Sequence, residues 1–368
     1  MSQDTKSTTR ALLLAHREAY PALQIRDVFK YLFQSAFGCE HLVADEAAAL
    51  RYIRREYEAC PKNESPAVDR LDGAYSRVHL SWLNGGLHPE TLAKLFCTSA
   101  KIEPDGREAL LEKLEVARGL VQNGELPLDL AEFDRLLTEW SAMGYPAIHH
   151  SDTVRAAYRP ADRVISEAYV PFLPLLTEID RLLERGNTIV ALEGGSAGGK
   201  STLASLLERL YDCTVFHMDD FFLRPEQRTA QRLSEVGGNL DRERFSEEIL
   251  RALAGGEPVR YRPFDCATQT LGEPVTAERK RLTVVEGVYA LHPAFGRYFD
   301  LAVFLDIDPA LQRERIRKRN TPALARRFFE EWIPMENAYF AETDTRGRCD
   351  LTVQVGADTR EREDTLSS

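Results

Sequence analysis

The sequence predicts an α/β domain in its second half, with a mainly parallel sheet flanked by helices, preceded by a mostly α-helical domain. Three observations lead to this fold class. After about residue 171, short apolar segments alternate with amphipathic ones, and a glycine-rich loop joins the first apolar segment to a helix. The first half instead repeats a capping residue, an apolar stripe and a glycine. Strands that alternate with helices form parallel sheets, whereas cap and glycine signals delimit helices.

These patterns divide the chain into four segments. We assign residues 1–165 to an α-helical domain of unknown function, 166–186 to a linking helix, 187–357 to the α/β domain and 358–368 to a frayed polar tail.

The predicted elements of the first half have recognisable start and stop signals. An apolar stripe ends near Gly38, and further helices begin at Asp45, Pro89 and Asp129 or stop at Gly124. The alternation of Val78, Leu80 and Trp82 predicts a short strand.

The second half begins with a helix that Gly186 closes. The strands predicted after it cover residues 188–192, 214–217, 282–285, 301–305 and 351–355.

A glycine-rich loop after the first of these strands is the most specific motif in the chain. Its residues are Gly194, Gly195, Ser196, Ala197, Gly198, Gly199, Lys200, Ser201 and Thr202. Glycines let backbone N–H groups surround a phosphate, and the helix that follows directs its positive end at the same anion. The spacing predicts binding of a nucleoside triphosphate, with Lys200 at its β- and γ-phosphates and Ser201 on Mg²⁺.

Acidic residues follow two other predicted strands. Asp219 and Asp220 come after the strand at 214–217, and Glu286 after the strand at 282–285. Because ligands bind beyond the carboxyl ends of parallel strands, these acids are expected beside the glycine-rich loop. The Asp pair suits Mg²⁺ ligation or proton abstraction from an attacking hydroxyl, and Glu286 suits Mg²⁺. A helix-capping or solvated acidic turn is the alternative for the pair.

A basic helix follows Asp308-Pro309. Its cations are Arg313, Arg315, Arg317, Lys318 and Arg319. Such cations can neutralise charge on a phosphoryl group, although a solvated basic face is the commoner meaning of a charge run. We select Arg315, with Lys318 or Arg319, as the candidate cations.

Residues 187–356 resemble the uridine kinase and phosphoribulokinase family of P-loop kinases, which includes nicotinamide riboside kinases and type I pantothenate kinases. The matching segments, in the family's order, are GGSAGGKST at 194–202, MDDFF at 218–222, NLDRERF at 239–245, YRPFDC at 261–266, VVEGVYAL at 284–291 and DIDPALQRERIRKR at 306–319. The resemblance implies an α/β P-loop kinase domain that transfers the γ-phosphate of ATP, with Mg²⁺, to a hydroxyl of a nucleoside or similar small metabolite.

The resemblance also implies roles at matched positions. Asp219 matches the catalytic base, Glu286 the magnesium-associated acid and the Arg315 region the lid over ATP. On the acceptor side, Asp241 matches an acid that binds ribose hydroxyls, and Phe264 matches an aromatic that packs on the nucleobase.

One departure concerns the acceptor. Uridine kinases carry a histidine soon after the segment that matches Phe264, and residues 264–269 contain none. Tyr261 and Gln269 are the alternative contacts. Two other functions therefore stay open: the same chemistry on a non-nucleoside acceptor such as pantothenate or a sugar phosphate, and an ATP-responsive regulatory module that controls the helical domain.

Composition limits the partners further. The formal net charge of −11 argues against a general nucleic-acid binder or a protein held on anionic membranes. The first residues lack a signal-peptide core, and no two of the six cysteines have C-x-x-C spacing. We expect a cytoplasmic protein whose partner is a small-molecule acceptor, and composition leaves its oligomeric state open.

Two features of the first half remain. Arg77 and His79 share one face of the predicted strand, and His149-His150-Ser151-Asp152 precedes several arginines. Such groups can bind a phosphate or carboxylate, or Ser151 can simply cap a helix.

Overall fold

The computed structural model describes residues 3–39, 45–71, 74–100 and 106–356. The chain divides into two compact units, one reaching to Leu173 and the other beginning at Pro174. This division falls inside the segment 166–186 that the sequence assigns to a linking helix. The tail predicted at 358–368 lies outside the described residues.

The helices of unit 1 begin and end largely where the sequence signals them. They are α1 (Gln3–Ala19), α2 (Ile25–Phe37), α3 (Glu46–Glu58), α4 (Pro89–Ser99), α5 (Gly106–Gln122), α6 (Leu130–Ala142) and α7 (Asp152–Tyr158). Asp45 and Asp129 cap α3 and α6, accepting hydrogen bonds from Ala48 N and Glu132 N at 2.6 and 2.7 Å. The sequence patterns do not predict helix α1, because its buried face includes the polar residues Thr9 and His16 and so lacks a continuous apolar stripe.

The described part of unit 1 also forms an antiparallel sheet of β1 (Val68–Arg70), β2 (Tyr75–His79) and β3 (Asp162–Ser166), with β2 in the middle. Val78 lies in β2 as predicted, but the strand prediction is wrong for Leu80 and Trp82. These two residues lie in a 3₁₀ helix, Leu80–Gly85. Leu80 is fully buried in that helix, so the apolar alternation continues past the end of the strand.

Unit 2 alternates strands and helices. Helix α8 (Leu173–Arg185) begins at the boundary, and the helices that follow are α9 (Lys200–Leu210), α10 (Ala230–Leu233), α11 (Arg242–Phe245), α12 (Arg251–Gly255), α13 (Pro309–Arg319), α14 (Pro322–Arg327) and α15 (Ile333–Glu342). Its strands are β4 (Thr188–Gly194), β5 (Cys213–His217), β6 (Val259–Tyr261), β7 (Phe264–Asp265), β8 (Thr270–Leu271), β9 (Val275–Ala277), β10 (Leu282–Glu286), β11 (Leu301–Ile307) and β12 (Leu351–Val355).

The main sheet of unit 2 is parallel throughout its five strands, in the order β12–β11–β4–β10–β5. Each of the five predicted strands is present, and none of their ends differs by more than two residues. Strands β4, β10 and β11 are buried along most of their length, which explains their nearly continuous apolar sequence. The predicted fold class, an α/β domain of P-loop type after a mostly helical domain, is confirmed.

Among the described residues, no helix combines the length and the apolar character needed to cross a membrane.

Asp27 joins the start of α2 to the start of α7 in the core of unit 1. Its fully buried carboxylate accepts hydrogen bonds from Gln24 N, Ser151 N and Ser151 Oγ at 3.1, 2.9 and 2.6 Å. His150 Nδ1 lies 3.1 Å from the same carboxylate. Burial alone would raise the pKa of Asp27, but these neighbours outweigh it and lower the pKa to about 2.

We expect Asp27→Asn to lower the free energy of unfolding by about 2 kcal/mol at pH 7, from a pKa difference of nearly two units between the unfolded and folded states. The depressed pKa stabilises the fold above pH 4, and this contribution disappears as the pH falls through 2. The measurement is urea unfolding of the full chain, followed by tryptophan fluorescence, from pH 7 to 2. A difference between the wild type and Asp27→Asn that stays constant below pH 4 would contradict this account.

Candidate functional site

The glycine-rich loop connects β4 to α9, as the sequence predicts. Gly194 and Gly199 have φ values of +143° and +88°, and the non-glycine Ala197 has a φ of +60°. Gly199 is the residue from which α9 begins. These left-handed positions wind the backbone into a tight loop at the start of a helix, the geometry that binds anions through N–H groups.

Lys200 is folded against the loop that precedes it. Its ammonium group donates to Gly194 O at 2.9 Å and to Gly195 O at 3.0 Å. Only 8% of the residue is exposed. The cation is therefore held at the loop, where it can attract a phosphate.

Glu286 lies between the glycine-rich loop and β5. Its carboxylate accepts a hydrogen bond from Ser201 Oγ at 2.9 Å and lies 2.6 Å from His217 Nδ1. The register explains the second contact, because Glu286 and His217 are paired directly across β10 and β5. Burial raises the pKa of Glu286, but His217, Lys200 and Ser201 outweigh burial and lower it. The contact with Glu286 in turn raises the pKa of His217.

Asp219 and Asp220 follow the end of β5. The side chain of Asp219 still reaches solvent, although the protein around it limits its hydration and raises its pKa, with Glu286 adding to the shift and Lys200 opposing it. Asp220 is more enclosed and accepts a hydrogen bond from Tyr261 OH at 3.3 Å. Burial also raises the pKa of Asp220. Of the pair, Asp219 is thus the acid with room for a second molecule.

The oxygen atoms of Ser201 and Glu286 fit Mg²⁺, which favours hard oxygen ligands and retains several waters. Within the described ranges, no group of three or more His, Cys, Asp or Glu side chains is arranged to hold a metal ion. A site with one carboxylate and one hydroxyl therefore needs phosphate oxygens and water to complete the coordination.

Two further carboxylates contact the loop. Glu193 is fully buried and accepts hydrogen bonds from Gly194 N, Leu291 N and Tyr339 OH at 3.0 to 3.1 Å. Burial outweighs these donors and raises the pKa of Glu193 to about 7.

The second is Glu336 of α15, which accepts hydrogen bonds from Ser196 N at 2.9 Å and from Ser196 Oγ. Gln312 Nε2 of α13 donates to the carbonyl oxygen of the same residue, Ser196 O, at 2.8 Å. Burial raises the pKa of Glu336 despite these donors. Two helices distant in sequence, α13 and α15, therefore fix the backbone of Ser196.

The candidate cations of α13 divide into buried and exposed groups. Arg315 is buried and donates to Ala197 O at 3.4 Å and Gly356 O at 2.8 Å, so it supports the backbone of the loop. Lys318 pairs with Glu314 at 3.3 Å, and Arg319 is among the charges that lower the pKa of Asp219. Arg313 and Arg317 line a cavity of about 570 Å³ beside α14.

The predicted acceptor residues lie in the part of the chain that connects β5 to β10. Asp241 is buried, caps α11 through Arg244 N at 3.1 Å and accepts from Gln227 Nε2 at 2.9 Å. Phe264 is buried, and the Arg228 guanidinium lies 5.9 Å from its ring centre. The acceptor roles of Asp241, Tyr261 and Phe264 stay predictions, as does the catalytic role of Arg315.

Comparison with known proteins yields no matching family model. A possible uridine kinase from Bacillus stearothermophilus is 21% identical, with a TM-score of 0.37, over 49% of this chain and 99% of that one. A Thermus thermophilus protein is 17% identical, with a TM-score of 0.28, over 49% and 96%. Shikimate kinase from Bacteroides thetaiotaomicron is 15% identical, with a TM-score of 0.27, over 48% and 93%.

Sequence reasoning assigned no role to Glu193, His217, Gln312 or Glu336. The available signal is an acid that directly follows apolar residues: Glu193 stands in Ala-Leu-Glu-Gly, and Glu336 follows Pro-Met. His217 and Gln312 are recognisable only from the folded chain.

Gly194 approaches β11 too closely for a side chain. A Cβ atom there would lie 2.5 Å from Leu305 O, whereas a Cβ on Gly199 would meet nothing within 4 Å. We expect Gly199→Ala to cost about 1–2 kcal/mol for its positive φ. Gly194→Ala should cost roughly 2–5 kcal/mol, because steric overlap adds to the unfavourable φ. Guanidinium unfolding of both variants is the measurement, and equal losses would show that the contact with β11 is unimportant.

Proposed function

We propose that this chain is an ATP- and Mg²⁺-dependent kinase that transfers the γ-phosphate to a hydroxyl of a nucleoside or similar small metabolite. One observation carries the proposal: a loop with an enclosed lysine, a serine–carboxylate pair and a second carboxylate all follow neighbouring parallel strands. Lys200, the Ser201–Glu286 pair and Asp219 make up this set. Phosphoryl transfer needs a phosphate cradle, charge neutralisation and an acid that orients the attacking hydroxyl.

The loop and Lys200 supply the cradle. The positive end of α9 begins at this loop, and the Lys200 ammonium adds a positive charge at the same place. Because both are fixed before a ligand arrives, little reorganisation is needed when charge develops on the phosphoryl group.

The Ser201–Glu286 pair would hold the metal ion. When bound, Mg²⁺ would neutralise charge on the phosphate oxygens. His217 stabilises Glu286 as the charged carboxylate, the form that binds cations.

Asp219 would act on the hydroxyl of the phosphate acceptor. A carboxylate that has a raised pKa and reaches solvent can accept a hydroxyl proton more readily than an ordinary surface acid. Asp220 is occupied by Tyr261, so it shapes the site without taking the proton.

The acceptor region supports a ring-bearing substrate. Tyr261 is anchored by Asp220 and stacks on Phe221 at 5.6 Å, which leaves a rigid aromatic element near Asp219. Asp241 uses one oxygen for α11 and the other for Gln227, and a carboxylate can accept further hydrogen bonds.

The first experiment measures ATP consumption by the full chain with nucleosides, nicotinamide riboside, pantothenate and sugar phosphates. The proposal expects one acceptor to raise turnover well above acceptor-free hydrolysis. Tight binding of Mg²⁺–ATP with no response to any acceptor would contradict it and favour the regulatory module.

We expect Asp219→Asn to lower turnover by about 10²–10⁴-fold, the usual contribution of a general base, while ATP affinity changes little. Asp220→Asn is the matched control, because it removes the adjacent charge and should keep most of the activity. Lys200→Ala should lose both ATP binding and turnover. The measurements are steady-state kinetics and equilibrium binding of ATP, and full activity of Asp219→Asn would remove it from the role of base.

A further inference from the structure

A cavity of about 570 Å³ lies between α13 and the chain that follows it, and the proposed reaction does not use the residues around it. We call it the α13–α14 cavity. Its lining includes three guanidinium groups, one carboxylate and an apolar surface, supplied by Arg313, Arg317, Arg326, Glu330, Ala325 and Phe329.

The cavity lies on a different side of α13 from the glycine-rich loop. Gln312 and Arg315 contact the backbone of the loop. Successive residues of an α-helix are about 100° apart around its axis, so Arg313 and Arg317 leave α13 at least that far from either contact residue. The α13–α14 cavity is therefore separate from the side of the helix that supports the loop.

One aromatic ring holds two guanidinium groups at the wall of the cavity. The guanidinium carbons of Arg313 and Arg317 lie 4.3 and 5.4 Å from the ring centre of Phe329, so the two cations cannot be further apart than the sum of these distances. Phe329 itself packs against Ile316 and Ala325. The ring is thus supported from behind, and both cations stay beside it.

The acids of this region already have other partners. Residues 309–332 contain seven Lys or Arg residues and three Glu residues, although the whole chain has a formal net charge of −11. Each Glu pairs with a cation four residues away, at 3.3 to 3.9 Å: Glu314 with Lys318, Glu330 with Arg326 and Glu331 with Arg327.

Arg313 and Arg317 are the cations of the cavity that lack such a partner. Within the described residues, neither of them forms an ion pair with a carboxylate. The three arginines and one glutamate of the lining give the cavity a net charge of +2. An excess of positive charge therefore faces the space that a ligand could enter.

The spacing of the two arginines also favours an anion. Like charges four residues apart destabilise a helix, and the shared contact with Phe329 keeps these two together. An anion between them would remove the repulsion. The planar fork of a guanidinium group matches the oxygen atoms of a phosphate or carboxylate.

We propose that the α13–α14 cavity binds the phosphate monoester of a small organic molecule, with the phosphate on Arg313 and Arg317 and the organic part on Ala325 and Phe329. A phosphate monoester carries nearly two negative charges at pH 7, which matches the net charge of the lining. The volume of the cavity lies in the range of roughly 300–1,000 Å³ that is usual for pockets that hold small molecules, so it has room for more than a single ion.

The test is titration calorimetry of the full chain with phenyl phosphate, phenyl sulfate and inorganic phosphate. The chain carries Lys200→Ala, which weakens the glycine-rich loop as a competing phosphate site. We expect phenyl phosphate to bind, and phenyl sulfate to bind about tenfold more weakly or worse, because it has only one negative charge. Inorganic phosphate should also bind more weakly, because it lacks the ring.

Two results of this titration would count against the proposal. Phenyl sulfate or inorganic phosphate that binds as tightly as phenyl phosphate would overturn the ligand class. Failure of all three probes to bind would overturn the site.

Variants locate the bound probe. In the same background, Arg313→Gln and Arg317→Gln should each weaken phenyl phosphate by about tenfold or more, the usual effect of losing a charge-assisted hydrogen bond. Arg327→Gln is the matched control, because Arg327 is also exposed and lies 4.9 Å from the ring centre of Trp332, but it does not line the cavity. Unchanged affinity in both cavity variants, or an equal loss in the control, would overturn the assignment.

A second measurement uses the wild-type chain and needs no substitution. Phenylglyoxal modifies accessible arginines, and mass spectrometry of the digested chain locates the modified residues. Phenyl phosphate should slow the modification of Arg313 and Arg317 and leave that of Arg327 unchanged. Equal modification with and without phenyl phosphate would contradict the proposed site. Neither measurement involves kinase turnover, so a failure of the proposed function would not affect this result.

Discussion

The candidate site depends on one constraint, the parallel pairing of β10 between β4 and β5. In this register the last residues of β10 and β5, Glu286 and His217, are level, and on its other side Glu286 lies beside Leu192, two residues before the end of β4. The glycine-rich loop after β4, the acid at the end of β10 and the Asp pair after β5 therefore meet at one edge. A shift of one residue in β10 would turn Glu286 to the opposite face of the sheet, away from Ser201.

Buried acids then hold the glycine-rich loop in position. Glu193 binds the backbone at Gly194 and Leu291 and the hydroxyl of Tyr339, so β4, the segment after β10 and α15 share one carboxylate. Glu336 holds the peptide N–H of Ser196, while Gln312 holds its carbonyl. These contacts hold the strained left-handed residues of the loop in place, and electrostatic catalysis requires such preorganisation.

Much of this architecture is predictable because local signals and tertiary packing agree. Asp45 and Asp129 cap helices, and the five apolar segments of the second half form the five strands, since buried parallel strands need apolar residues on both faces. Where a polar residue occupies a buried face the prediction fails, as in α1. It also fails where apolar alternation continues beyond a strand, as at Leu80 and Trp82.

The sequence by itself determined the α/β class, the glycine-rich loop and the acids at the strand ends, because each depends on residue type and short-range spacing. Only the tertiary structure decided which groups have partners. In the folded chain Arg315 is buried against the glycine-rich loop. Asp220 accepts a hydrogen bond from Tyr261, whereas Asp219 reaches solvent. Arg77 Nη2 has no hydrogen-bond partner beneath α2. Hydrogen bonds between elements far apart in sequence depend on strand register and helix packing, which no local pattern contains.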